Sequence, residues 1–175
     1  MHAKTVIREK ESKIVIDHIL ADKFLTETLL FDCRAKIDSS KLTMSGHSMG
    51  GSTALRVGRS DKRVACILTF DPWLGALYKE LETKKFQPFR EDQAILILNT
   101  LSFLEPSVYS SDFNALRCHK YLMEEFTPCH LKEEIIITNA HHAHQNDSIV
   151  IKMLELELPR LLKGQMPRPT CHLIL

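Results

Sequence analysis

Between a strand-compatible run, Lys41-Leu42-Thr43-Met44-Ser45, and helix-compatible residues, Ser52-Thr53-Ala54-Leu55-Arg56-Val57, stands the hexapeptide Gly46-His47-Ser48-Met49-Gly50-Gly51. A strand that turns sharply into a helix, with a serine between flanking glycines, is the arrangement of a nucleophile elbow. A serine on such a strained turn leaves little room where helix and strand approach, and glycine meets that need without a Cβ. A bare G-x-S-x-G also arises by chance, and a serine at a strand-to-helix turn can serve only to cap the helix. The surrounding pattern has to decide.

That pattern alternates. Residues 17–30 carry Ile19, Leu20, Phe24, Leu25 and Leu29 at three- and four-residue intervals, the stripe of an amphipathic helix. Asp38-Ser39-Ser40 reads as a turn before the strand that leads to Ser48, and the helix after Ser48 breaks between Gly58 and Asp61. Val64–Phe70 is a nearly continuous apolar run, as in a strand buried on both faces of a parallel sheet. Residues 79–92 read as a loop or short irregular helices. Residues 94–98 and 133–138 are further strands, 111–125 and 148–158 helices, and Pro159, Pro167 and Pro169 punctuate a tail. From the elbow strand onward this gives β-α-β-β-α-β-α, an α/β layer architecture with a parallel sheet.

Composition removes several function classes. The 175 residues carry 23 Lys+Arg against 22 Asp+Glu, so a net charge of +1 gives no electrostatic case for nucleic acid or an anionic membrane surface. No apolar run approaches the ~18 residues that span a bilayer. The charged start, Met1 to Glu11, lacks the apolar core of a secretory signal. Five widely spaced cysteines, Cys33, Cys66, Cys118, Cys129 and Cys171, read as free thiols in a reducing compartment, and the expected location is cytoplasmic. One domain is expected over residues 1–175, ordered from about 16 to 162, with tails at 1–12 and 163–175.

A serine hydroxyl becomes a nucleophile only when a base takes its proton and a carboxylate orients that base. In α/β-hydrolases the chain order is serine, then acid, then histidine. Asp71 directly follows the strand after the elbow helix, at the carboxyl edge where Ser48 also lies. The base must follow a later strand, and Asn139 to Asp147 contains His141, His142 and His144. Spacing alone leaves the choice among these three open. A zinc shared by His142 and His144, or by His141 and His144, is the competing use, although no carboxylate or cysteine cluster completes a ligand set.

Gly46-His47-Ser48-Met49-Gly50-Gly51, Phe70-Asp71-Pro72-Trp73 and His144-Gln145-Asn146 together make the chain resemble the plasma and intracellular type II platelet-activating factor acetylhydrolase family, the lipoprotein-associated phospholipase A2 group. Its members are similar in carrying G-H-S-F-G-G, then D-x-W, then H-Q-N. The resemblance covers residues 16 to 147 or so. It implies an α/β-hydrolase fold with a mostly parallel sheet and flanking helices, Ser48 as nucleophile, Asp71 as acid and His144 as general base. The Met49 backbone N–H would help hold the oxyanion. A pocket is implied near Trp73, with Phe70 and Gln145 as neighbouring candidates; sheet-edge packing for Phe70 and helix capping for Gln145 are the alternatives. The implied substrate is a phospholipid with a short or oxidised sn-2 acyl ester, met in transient contact with a lipid surface, without metal, calcium or other cofactor.

Two departures stand out. Met49 occupies the usual Phe position, which changes the acyl-pocket wall and keeps the backbone donor. Family members are also longer, so the early strands and the loop bearing a second oxyanion donor are expected to be missing, a loss worth about 10²–10³ in rate. An incomplete sheet would expose a parallel edge, and the isolated chain is expected to associate or to need a partner piece. The rival readings are a carboxylesterase or thioesterase of the same fold and a non-catalytic remnant.

Overall fold

The computed structural model describes residues 2–21, 24, 27, 37–83, 85–105, 115–125, 128–129 and 131–145. Its elements run α1 (His2–Ile19), β1 (Leu42–His47), α2 (Met49–Ser60), β2 (Val64–Phe70), a 3-10 turn (Leu74–Ala76), α3 (Tyr78–Glu82), β3 (Ala94–Thr100), α4 (Leu101–Leu104), α5 (Ala115–Glu125), β4 (Leu131–Ile137) and a 3-10 turn (His142–Gln145). The four apolar runs form one parallel sheet in the order β1-β2-β3-β4. Each crossover carries helical segments that cover the sheet, the α/β-hydrolase arrangement. Register aligns the strand ends: His47 pairs with Phe70, Phe70 with Leu98, and Leu98 with Ile135. The residues that follow β1 and β2 therefore emerge level with one another at the carboxyl edge.

The core sits between the sheet and α2, where Ala54, Leu55 and Val57 bury against Val64, Ile67, Ile95 and Ile97. Every residue from Gly51 to Gly58 is buried, because α1 covers the helix face turned away from the sheet. This burial takes Arg56 out of water, and two carboxylates on flanking helices meet its guanidinium: Glu9 on α1, at 3.5 Å, and Glu80 on α3. A buried guanidinium without such partners would be costly, so the pairing ties three helices together. The charged leader expected as a tail is thus the helix α1, with Glu9 and Lys13 one turn apart and bonded at 3.0 Å. Of the helix expected over 17–30, α1 ends at Ile19, and most of the rest lies outside the described residues, as do the expected helix 148–158 and the tail from 163.

Among the described residues β1 has no strand on its outer edge. A cleft of about 470 Å³ follows that edge, lined by Val15, Ile16 and Ile19 of α1 and by Leu42, Met44 and Val64. At the opposite edge, Ile135, Ile136 and Ile137 of β4 are exposed among the described residues. No helix among the described residues is long and apolar enough to cross a membrane.

Candidate active site

Ser48 sits between β1 and α2 with φ 57° and ψ −120°, a left-handed conformation that a residue with a Cβ rarely adopts. Three backbone bonds hold it there. Its N–H donates to the Phe70 carbonyl at 2.9 Å, and its carbonyl accepts from Trp73 at 2.9 Å and Ser52 at 3.2 Å. The glycines around it are not equivalent. A Cβ on Gly46 would meet the Gly50 carbonyl carbon at 2.3 Å, and one on Gly51 would meet Pro72 Cα at 2.9 Å, whereas one on Gly50 would meet nothing within 4 Å. The close approach of strand, helix and the segment after β2 therefore explains Gly46 and Gly51. Met49 opens α2, and the first N–H groups of a helix have no acceptor within it, which leaves them available to an anion.

Asp71 follows β2 and is also left-handed, with φ 42°. Its N–H donates to the Leu98 carbonyl at 2.8 Å, so the last rung of the β2–β3 ladder sets its backbone. The side chain is fully buried. Thr100, at the end of β3, donates its N–H to Oδ1 at 2.6 Å and its hydroxyl to Oδ2 at 2.8 Å. The remaining direction of Oδ2 receives Nδ1 of His142 at 3.1 Å. Three donors thus hold the carboxylate in place, and it in turn fixes the imidazole it meets.

The histidine at Asp71 is thus His142. The resemblance through His144-Gln145-Asn146 implies His144 as the base, and the structure puts that side chain elsewhere: it is exposed, its Nδ1 accepts the His141 N–H at 3.1 Å, and its ring lies 5.3 Å from that of His141. Both residues belong to the 3-10 turn 142–145. With three residues per turn, positions two apart point about 120° away from one another, so one meets Asp71 and the other does not. The His142 imidazole is held on both faces. Phe103 stacks at 4.2 Å with an 8° interplanar angle, and His47 lies 4.2 Å away on a 31° tilt. His47 also donates Nε2–H to the His142 carbonyl at 3.1 Å. Burial first, and the neighbouring His142 imidazole second, hold the His47 imidazole below its ordinary pKa.

The other sequence candidates flank this centre. Trp73 packs 6.2 Å from Phe103, and its carbonyl accepts the Ser52 hydroxyl, which ties the segment after β2 to α2. Phe70 contributes its carbonyl to the elbow. Gln145 has its amide nitrogen and oxygen buried with no hydrogen-bond partner among the described residues. Sequence reading missed Thr100, Phe103 and the part played by His47. Thr100 could have been found from its place at the end of the strand after Asp71, since adjacent parallel strands bring such positions together.

The chain matches the family described as platelet-activating factor acetylhydrolase, isoform II, over residues 2–156. It is 33% identical over 55 residues to the platelet-activating factor acetylhydrolase of Cavia porcellus, covering 31% of this chain and 13% of that protein. It is 27% identical over 110 residues to the Bos taurus protein of the same name, covering 63% and 21% respectively. The chain thus spans about a fifth or less of the length of these relatives. Among solved structures, the ferulic acid esterase of Streptomyces cinnamoneus superposes with a TM-score of 0.56 at 19% identity, over 87% of this chain and 37% of that one, a likeness of fold. With nearly all of its length inside the family match, and the elbow serine and buried aspartate at one sheet edge, the chain belongs to the platelet-activating factor acetylhydrolase isoform II family.

Proposed function

We propose that this chain carries the reacting centre of a serine ester hydrolase that cleaves the sn-2 acetyl or short oxidised acyl ester of a platelet-activating-factor-like phospholipid. The observation that carries the reading is the Asp71–His142 pair at the sheet edge that also bears the strained Ser48. With Nδ1–H held by Asp71, His142 keeps the lone pair on Nε2, the tautomer a general base needs. Ser48 Oγ attacks the ester carbonyl as His142 Nε2 takes its proton. The Met49 N–H, at the start of α2, stabilises the oxyanion. Collapse of the tetrahedral intermediate passes that proton to the departing glycerol oxygen, releasing the lysophospholipid and leaving an acyl-serine. Water, activated by the same histidine, then frees the short acid. The phospholipid class rests on family membership; the mechanism rests on the side chains named.

The test uses a fluorophosphonate, which reacts with an activated serine without needing the natural substrate. Ser48 is expected to be labelled, and Ser48→Ala to abolish labelling. His142→Gln should slow labelling by about 10³-fold or more, the scale on which a triad base acts, while His144→Gln stays within about threefold of the parent. Equal loss in both histidine variants would sink the assignment of His142. Faster turnover of acetyl than of long-chain phospholipid esters supports the substrate class, and the reverse order favours a general esterase.

A further inference from the structure

His47 takes no part in the steps above, yet it stands beside all of them. It ends β1 immediately before Ser48, and its ring lies 4.2 Å from that of His142. One ring nitrogen from each histidine and a carboxylate oxygen of Asp71 lie within 4.8 Å of one another. An aspartate–histidine pair offers a metal two donors. His47 makes three, arriving from the ends of β1, β2 and β4, and three protein donors with one open position is the ligand count of exchangeable zinc sites. We propose that His47, Asp71 and His142 form an inhibitory binding site for a divalent transition metal, with Zn²⁺ the best match.

The donor chemistry selects the metal. Two imidazoles and one carboxylate suit zinc and its neighbours, whereas calcium and magnesium require shells built from oxygen. Zinc–nitrogen bonds near 2.0–2.1 Å in a tetrahedron put donors about 3.3–3.5 Å apart. Asp71 Oδ2 and His142 Nδ1 already stand at 3.1 Å. The three donor atoms lie within 4.8 Å, so closing the rest asks His47 to move by up to about 1.4 Å and to turn its ring out of the stack on His142, within reach of a half-buried side chain at a strand end. The outer support is in place too, since Thr100 holds both oxygens of Asp71 through its N–H and hydroxyl.

The consequence follows from the two nitrogens of His142. A metal on Nδ1 needs the lone pair there, so the single ring proton relocates through solvent from Nδ1 to Nε2, with none gained or lost. An imidazole protonated on Nε2 cannot accept the Ser48 proton. This inhibitory outcome rests on the esterase reading of Ser48; the binding itself does not. The site differs from the zinc pairings that the sequence offers, which use His144. The Nδ1 of that residue accepts the His141 N–H, and the three-donor group does not include it.

Cobalt(II) serves as the probe, because a tetrahedral nitrogen and oxygen shell gives it strong visible bands. Titrating the full chain should produce these bands with one equivalent bound, and added Zn²⁺ should bleach them. His47→Gln, whose amide can still donate to the His142 carbonyl, should lose them, while His144→Ala should keep them; circular dichroism checks that each variant is folded. Zinc at ten times its dissociation constant should slow fluorophosphonate labelling of the parent by about tenfold by mass action, and leave His47→Gln at its own metal-free rate. Bands that survive His47→Gln, or vanish in His144→Ala, overturn the proposal by moving the metal to the exposed loop. Absent bands with Ser48 still labelled overturn this inference alone. Bands lost in His47→Gln while Ser48 resists labelling leave the metal site standing and remove the esterase reading.

Discussion

Asn99 and Thr100 are neighbours at the end of β3, both fully buried, and alternation along a strand sends their side chains to opposite faces. Thr100 reaches the Asp71 carboxylate and satisfies it. Asn99 reaches a second polar group, donating to Glu134 Oε1 at 2.5 Å with His119 Nδ1 at 3.3 Å, and its own Oδ1 has no partner among the described residues. The first cluster holds the Asp71 carboxyl group in one place for chemistry. In the second, burial alone pushes the His119 pKa down to about 4 and is the largest influence raising that of Glu134. One strand end therefore divides the molecule into a face where polar burial is satisfied and a face where it is a strain on stability.

If that division holds, damage on one face should appear in reactivity and damage on the other in stability. The largest effect belongs to Asp71→Asn, which leaves the shape of the site but lets the amide favour the wrong His142 tautomer. Ser48 labelling is expected to fall by about 10³–10⁴-fold. A loss under tenfold would separate Asp71 from the reacting centre. On the other face, His119 binds its proton near pH 4 when folded and near 6.5 when unfolded, so between these values the unfolded chain holds more protons. Stability is therefore full above about pH 6.5 and declines as pH falls, by about 3 kcal/mol once pH 4 is reached. Glu134, neutral-favouring in the fold, opposes this slope through the acidic part of the range by losing stability as pH rises. Thermal melting of the parent between pH 7 and 4.5 should show the decline, and His119→Gln should flatten it while leaving Ser48 labelling at pH 7 within about twofold. An unchanged slope would remove His119 as its source.

The same contrast explains what could be read in advance. Strands and elbow were legible because Val64–Phe70 and Ala94–Thr100 carry continuous apolar runs, and because a strand, a glycine-flanked serine and a helix specify one turn. Asp71 was legible because a strand end fixes where the next residue points. The histidine was not: three candidates crowd one short segment, two of them inside the 3-10 turn and His141 just before it, and which of them meets Asp71 depends on the rotation of that turn after the left-handed Asn139, which residue types do not encode. Helix α1 escaped for a related reason. Its charges read as solvated, but Glu9 is spent on Arg56 and Ser60 of α2, partners about fifty residues away. Pattern reading sees periodicity along the chain and misses polar groups that are satisfied across it.

Thr100 gives the finest cut between the two faces, because its two bonds to Asp71 can be separated. Thr100→Val keeps the shape and the N–H that donates to Oδ1 at 2.6 Å, and removes only the hydroxyl that donates to Oδ2 at 2.8 Å. Oδ2 is also the oxygen that receives His142, so the hydroxyl fixes the direction in which the imidazole is held. Losing one donor to a buried carboxylate costs about 1.5–3 kcal/mol, and the expected fall in labelling is about tenfold, far short of Asp71→Asn because the backbone donor remains. Thr100→Ser restores the hydroxyl and should recover most of the rate. Rescue separates positioning from packing: serine restores the donor to Oδ2 but not the methyl group, so a positioning role predicts recovery in Thr100→Ser and a packing role does not. A rate loss that persists in Thr100→Ser would make Thr100 a packing residue, and the contrast with Asn99 would then be one of burial alone.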